Sequence, residues 1–320
     1  MKRILLVKTS SLGDVIHNLP VVNDILQHYP EAIIDWVVDE SFADIPRLHP
    51  QVNQIITVAL RRWRKQLFRR KTWCEICHVI RRLSTNQYDA VIDTQGLIKS
   101  GIITSLTKGI THGYDRQSIR EPLASWCYQQ KHHISYQQHA VSRNRSLAAL
   151  SLNYAIPNHA PDYGIKASAC TDIVINQPYI IGLHGTSRAS KLWSTDNWVA
   201  LGKTLTQKNL NLVLPWANDA EFKRANEIAN QLQNATVLPK LNIAELASVI
   251  ANAQAAIGVD TGLSHLAVAL SKPTIAIYTD TDPALTGVMA GNIVPAVNLG
   301  GKGQLPSVDA AFQHALINMI

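Results

Sequence analysis

The chain has 320 residues, 46% of them hydrophobic and 17% charged, and its 30 Lys and Arg outnumber 23 Asp and Glu to give a net charge of +7. That length suits two domains, and the apolar share supports a core in each. Intrinsic disorder needs low hydrophobicity and high charge and is excluded as the main state; collagen, coiled-coil and solenoid readings fall with the absence of their tracts and repeats.

In chain order, an apolar run at 4–7 stopped by Lys8 predicts a buried strand, and it is too short for a secretory signal. Residues 15–27 have helical spacing through Val15, Ile16, Leu19, Val22, Ile25 and Leu26, with Pro20 marking a kink or a later start. Strands are predicted at 33–38 and 54–58, a helix at 74–83, a strand at 90–93 and a helix at 98–106. Between 61 and 71 stand Arg61, Arg62, Arg64, Lys65, Arg69, Arg70 and Lys71 without an acid. Such a run is either a solvated face or a patch for polyanions: nucleic acid, anionic headgroups or a phosphorylated substrate. Residues 153–178, with Pro157, Pro161 and Pro178, read as a linker.

The alternation then restarts. Strands are predicted at 179–183, 210–214, 255–259 and 274–278. Helices are predicted at 198–205, 221–232, 243–251, 263–270 and 308–317, with Asn242 capping the third. Strands alternating with helices imply parallel sheets, so the chain reads as two open α/β domains, 1–165 and 166–320, facing a cleft, with the last helix packing back on the first domain. Ligands of such sheets bind at the carboxyl ends of the strands.

Three post-strand loops carry chemistry. In Lys8-Thr9-Ser10-Ser11-Leu12-Gly13-Asp14, hydroxyls and backbone N–H groups suit an anion, while Asp14 suits a general base or a helix cap. In 183–193, Thr186, Ser187, Arg188 and Lys191 suit a diphosphate or form an ordinary polar loop. In Gly258-Val259-Asp260-Thr261-Gly262-Leu263-Ser264-His265, a helix N-terminus follows a strand directly; Asp260 suits sugar hydroxyls or a cap, and His265 the site or the core. Glu221 opens another helix and suits a ribose diol or the helix dipole.

Other signals are weaker. Cys74-Glu75-Ile76-Cys77 lacks two further zinc ligands and reads as core packing on an amphipathic helix. Four irregular cysteines build no disulfide framework and fit a reducing compartment. The P-loop, G-x-S-x-G, G-x-G-x-x-G and H-E-x-x-H patterns are absent, and the expected lack of a D-x-D pair near a strand end argues against a glycosyltransferase that needs a divalent metal for its nucleotide diphosphate. No run reaches the ~18 apolar residues of a membrane span.

Val7-Lys8-Thr9-Ser10-Ser11-Leu12-Gly13-Asp14-Val15 together with Asp260-Thr261-Gly262-Leu263-Ser264-His265 resembles the ADP-heptose:lipopolysaccharide heptosyltransferases, and the likeness runs the full length. Arg61-Arg62-Trp63-Arg64-Lys65, Asp93-Thr94-Gln95-Gly96-Leu97-Ile98-Lys99-Ser100, Arg120-Glu121-Pro122-Leu123-Ala124-Ser125 and Lys131-His132-His133-Ile134 resemble the branch that adds the first heptose to Kdo. The resemblance implies a GT-B fold of two Rossmann-like domains and an inverting, metal-independent transfer of L-glycero-D-manno-heptose from ADP-heptose to Kdo2-lipid A. No cofactor is implied. It makes Asp14 the catalytic base. It assigns Thr186, Ser187, Lys191, Thr261 and Gly262 to the diphosphate, Asp260 and His265 to the sugar and phosphate end, Glu221 to ribose and Leu241 to adenine. Ser187 and Leu241 stand where the family has threonine and methionine. Lys8, Ser10, Ser11, Arg61, Arg62, Arg64, Lys65, Lys99 and Arg120 are the acceptor candidates. The basic run, with Trp63 and Phe68, then meets an anionic membrane surface, which places a monomer peripherally on the cytoplasmic face of the inner membrane. The alternatives are a sister enzyme acting on a later heptose, a nucleotide-sugar hydrolase or epimerase, and a basic nucleic-acid-binding protein, which leaves the Asp14 and Asp260 loops unexplained.

Overall fold

A computed structural model describes residues 1–167, 173, 175 and 177–313. The chain divides into two compact units, Met1–Ile165 and Lys166–Ile320. The first holds β1 (Arg3–Val7), β2 (Ile33–Asp39), β3 (Val52–Val58), β4 (Gln87–Asp93), β5 (Lys108–Tyr114) and β6 (Gln130–His132). The second holds β7 (Tyr179–Leu183), β8 (Asn211–Leu214), β9 (Ala235–Val237), β10 (Ala255–Val259), β11 (Thr274–Tyr278) and β12 (Ala296–Gly300).

Every strand pairing in these sheets is parallel. The orders are β3-β2-β1-β4-β5-β6 and β12-β11-β10-β7-β8-β9. Read within its own unit, the second is the first again. Each is a doubly wound sheet whose strand order reverses between its first and fourth strands, the place where such folds bind ligands. In register, Val7 lies beside both Val37 and Asp93. Gly258 lies beside both Leu183 and Ala276. The loops leaving β1 and β4, and those leaving β7 and β10, therefore start level with one another.

The central strands are covered on both faces, which is why they read as unbroken apolar runs. β7, β10 and β11 are buried along their whole length and have the predicted bounds. β5, β6, β9 and β12 were not predicted. Three of them are sheet edges, and β5 lies next to one. They are polar or short, because an outer strand needs less apolar surface.

Pro20 does not kink a helix. It occupies the first turn of Pro20–His28, after a separate short helix Leu12–Ile16, where its missing N–H costs nothing. Asn242 caps helix Ile243–Asn252 as predicted: its side chain accepts from Glu245 N at 2.9 Å, and Glu245 Oε2 accepts from Asn242 N at 2.8 Å.

Cys74 and Cys77 are exposed on helix Arg70–Thr85 and so do not pack in the core as expected; the helix turns Thr72 and Leu83 inward instead. Cys170 lies outside the described residues. The closing helix is described over Val308–Gln313, and the rest of the predicted span lies outside the described residues. Its Ala311 is buried with Trp193, Trp198 and Leu201 in the core of the second unit.

An unpredicted helix, Ala140–Leu152, crosses the first unit with a partly polar buried face. Its Arg145 makes a bidentate pair with Asp24 of helix Pro20–His28, at 2.7 and 2.8 Å, with both side chains buried. Arg145 also donates to His159 O at 2.7 Å, which ties the segment after the helix to the same pair.

Candidate active site

In the first unit the loop after β1 and the loop after β4 hold each other. Gln95 Oε1 accepts from the backbone N–H groups of Thr9 and Ser10, both at 3.0 Å. Lys8 is buried and donates to Thr94 O at 2.8 Å. Burial lowers its pKa, and the nearby carboxylates of Asp14 and Asp93 oppose that shift. Asp93 anchors the β4 loop: Oδ1 accepts from Gln95 N at 2.8 Å and Gly96 N at 3.2 Å, and Oδ2 from the Tyr128 hydroxyl at 2.7 Å. Burial raises its pKa against those hydrogen bonds. The turn requires glycine at 96, where φ is +67° and a Cβ would meet Ile119 at 3.0 Å.

Asp14 sits in the first helical turn of Leu12–Ile16, half-buried. Its Oδ2 accepts from Ser11 N at 2.8 Å and Ser11 Oγ at 2.9 Å. Lys99, on helix Ile98–Ser105, donates to Ser10 Oγ at 2.9 Å. Burial and then the field of Arg61 lower the Lys99 pKa, while Asp14 is among the acids that raise it. The fields of Arg120 and Arg143 reach Lys8. Of the acceptor candidates, Ser11 touches Asp14 directly, Lys8 and Lys99 lie within its field, and Ser10, Arg61 and Arg120 connect to those two lysines rather than to Asp14 itself.

The rest of the basic run divides. Arg64 and Lys65 are exposed on helix Leu60–Lys65. Arg62 is engaged elsewhere: it pairs with both oxygens of Glu40, at 3.0 and 2.9 Å, and with Glu75 at 2.8 Å. The sequence run has no acid of its own, but the fold supplies two. Trp63 is buried, its indole N–H on Glu75 at 2.8 Å, so it does not belong to an exposed headgroup-binding face. The exposed apolar side chains here are Leu67, Phe68 and Trp73. Trp73 Nε1 donates to Leu67 O at 2.8 Å and fixes that corner.

In the second unit the corresponding loops again meet. Lys191 Nζ lies 2.7 Å from Asp260 Oδ2 at the end of β10. Thr186 Oγ1 donates to Asp260 O at 2.8 Å. Thr261 occupies the N-cap position of helix Gly262–Ala269 without a side-chain capping bond, so the N–H end of that helix opens one residue after Asp260. His265 is buried in it and Ser187 is exposed. Glu221 lies against the Lys191 loop: a Cβ on Gly185 would come within 2.6 Å of its carboxyl carbon, so a larger residue at 185 would displace the Glu221 carboxylate. Glu221 also fills its bland role, with Oε2 accepting from Ala217 N at 2.8 Å. Leu241 follows β9, one residue before the Asn242 cap, and is half-buried.

Two contributors were not legible in the sequence. Gln95 acts only on backbone far away in sequence. Contrary to expectation, a D-x-D does stand near a strand end: Asp280-Thr281-Asp282 follows β11 with one residue between. Its acids are engaged: Asp280 Oδ2 accepts from Ser190 Oγ at 2.6 Å, and Asp282 Oδ1 caps the next helix through Ala284 N at 2.9 Å. Thr281 Oγ1 donates to Asp260 Oδ2. Among the described residues no group of three or more His, Cys, Asp and Glu could hold a metal ion, and no helix is long and apolar enough to cross a membrane.

Two tandem doubly wound sheets, each with a polar loop cluster where its strand order reverses, make this a chain of the GT-B glycosyltransferase class. It matches the model of glycosyltransferase family 9 (heptosyltransferase) over residues 76–310. It is 44% identical over 319 residues to lipopolysaccharide heptosyltransferase 1 of Escherichia coli K12, covering 99% of this chain and 96% of that protein. It is equally identical, 44% over 286 residues, to lipopolysaccharide heptosyltransferase 1 of Pseudomonas aeruginosa, covering 89% of this chain and 81% of that one. The solved structure of E. coli heptosyltransferase WaaC with ADP is similar with a TM-score of 0.90 and 41% identity, covering 99% and 100% of the two chains. The same enzyme with ADP-2-deoxy-2-fluoro heptose gives 0.87 and 41%, covering 99% of each. The chain belongs to glycosyltransferase family 9.

Proposed function

We propose that this protein is a heptosyltransferase of lipopolysaccharide inner-core assembly. It moves the first L-glycero-D-manno-heptose from ADP-heptose to a Kdo of Kdo2-lipid A, with inversion and without a metal. The observation that carries the reading is 44% identity over 99% of the chain to lipopolysaccharide heptosyltransferase 1. The loop chemistry at both strand reversals agrees with it.

The acceptor hydroxyl attacks the anomeric carbon as the bond to the ADP oxygen breaks. Asp14 takes the hydroxyl proton, and Lys8 and Lys99 keep that carboxylate in a cationic field. Negative charge grows on the departing diphosphate. Lys191, Thr186, Ser187 and the N–H end at Thr261-Gly262 bind it, with Asp260 and His265 at the sugar end. Glu221 takes the ribose diol and Leu241 covers the adenine. Arg61, Arg64, Lys65, Lys99 and Arg120 attract the Kdo carboxylates and lipid A phosphates. Arg62 contributes by fixing its helix to Glu40 and Glu75. Leu67, Phe68 and Trp73, ringed by cations, bring the chain to the anionic cytoplasmic face of the inner membrane as a peripheral monomer.

An assay with ADP-heptose and Kdo2-lipid A, with and without EDTA, tests this. Heptosylated Kdo2-lipid A in both arms is the expected result. Transfer only to an already heptosylated acceptor selects the sister enzyme instead, and loss with EDTA overturns metal independence.

A further inference from the structure

The segment after β11 is unassigned, yet it holds the cation of the proposed donor site in place. Three hydrogen bonds tie it to the Lys191 loop and its counter-ion. Thr279 Oγ1 donates to Ser190 O at 2.7 Å, next to Lys191. Ser190 Oγ donates to Asp280 Oδ2 at 2.6 Å. Thr281 Oγ1 donates to Asp260 Oδ2, the same oxygen that lies 2.7 Å from Lys191 Nζ. The Lys191 and Asp260 side chains are only 17% and 14% exposed, so water screens their pair little.

We propose that Thr281 is a positioning residue for the diphosphate: it fixes the rotamer of Asp260, and through Asp260 the place of the Lys191 ammonium. This role depends on the donor site proposed above. An ammonium has three donors. Asp260 engages one, and two remain for a diphosphate. A carboxylate held only by a flexible lysine can rotate and take that lysine with it. A carboxylate also pinned by a short-chain hydroxyl on a neighbouring loop cannot. Thr279 and Ser190 make the arrangement two-layered, since they hold the backbone of the Lys191 loop against the segment that carries Thr281. The D-x-D spacing thus serves as a scaffold here: the residue between the two acids reaches the donor site, while the acids hold loop and helix.

Calorimetric titration of the full-length chain with ADP tests this. Thr281→Val, which keeps the shape and removes the hydroxyl, is expected to weaken ADP about tenfold, as befits a hydrogen bond to a charged group. Thr281→Ala is the second hydroxyl-free variant should valine disturb packing, and melting curves report the fold of each. Thr281→Ser restores the donor and is expected within about twofold of wild type. In an Asp260→Asn background, Thr281→Val is expected to add less than about a further twofold, because both changes break one chain of contacts. Wild-type affinity in Thr281→Val and Thr281→Ala, failure of serine to rescue, or losses that simply multiply with Asp260→Asn would overturn the proposal alone. A wild-type chain that binds no ADP overturns the donor-site reading and this proposal with it.

Discussion

Asp14 rests one carboxylate oxygen, Oδ2, on both the backbone N–H and the hydroxyl of Ser11, at 2.8 and 2.9 Å. Its Oδ1 accepts no hydrogen bond among the described residues. The cap and the base, alternatives in the sequence, are therefore compatible: one oxygen orients the group and the other is left for a proton. Asp14→Asn retains an acceptor for Ser11 and removes the base. Transfer should fall ~10²–10⁴-fold while ADP affinity stays near wild type. Turnover within a few-fold of wild type refutes the assignment.

Lys191→Met removes the cation assigned to the leaving diphosphate and keeps the length of the chain. Transfer should drop by roughly 10²–10³, and ADP binding should weaken with it. Steady-state kinetics beside calorimetry check both, and an unchanged affinity for ADP moves the diphosphate elsewhere.

The Asp24–Arg145 pair is buried and bidentate, and joins helices Pro20–His28 and Ala140–Leu152. Arg145→Met strands a buried carboxylate and should destabilise the chain by about 3–5 kcal/mol. Urea unfolding measures this. A loss below about 1 kcal/mol would mean that the pair contributes little more than an exposed one.

Burial lowers the pKa of His49, His112 and His184 to about 4 in each case, with His132 adding to the effect at His112 and Arg224 at His184. In the unfolded chain a histidine titrates near ~6.5. Between those values the unfolded chain binds more protons than the folded one, so stability falls as pH drops through that window. The buried Asp93, whose pKa is raised, works the other way, but His132, also lowered by burial, adds to the other three histidines. The melting temperature should decline from pH 7 to 4.5, and His112→Gln should make the decline shallower. A flat profile contradicts the burial of neutral imidazoles.

Phe68 is fully exposed, with Leu67 and Trp73 partly so, among Arg64, Lys65, Arg69, Arg70 and Lys71. Phe68→Ser with Trp73→Ser should reduce co-sedimentation with anionic vesicles, and raised salt should reduce it further, since each cation near the surface contributes ~1 kcal/mol. Equal binding to neutral and anionic vesicles would remove the electrostatic part of the membrane reading.

Most of this organisation was legible because the chain obeys the simplest rules at its centre. β7, β10 and β11 announce themselves as apolar runs, and chemistry-bearing residues such as Asp14, Lys191 and Asp260 follow strands directly. Legibility fails where a residue's purpose lies in something remote. Gln95 is read only once β1 and β4 are known to be neighbours, and Thr281 only once β10 and β11 are. Helix Ala140–Leu152 hides because Asn144, Arg145 and Ser146 on its buried side look like solvent-facing residues. Trp63 and Trp73 look alike in sequence, yet Trp63 packs in the core with its indole N–H on Glu75, twelve residues on, while Trp73 stays exposed.

The repetition of one strand order in both halves has a consequence for redesign. Each half keeps its own set of reactive loops on its own framework. On the proposed division of roles, substitutions that refit the first unit to another acceptor would leave the loops that grip the nucleotide untouched, so the two specificities could be altered one at a time.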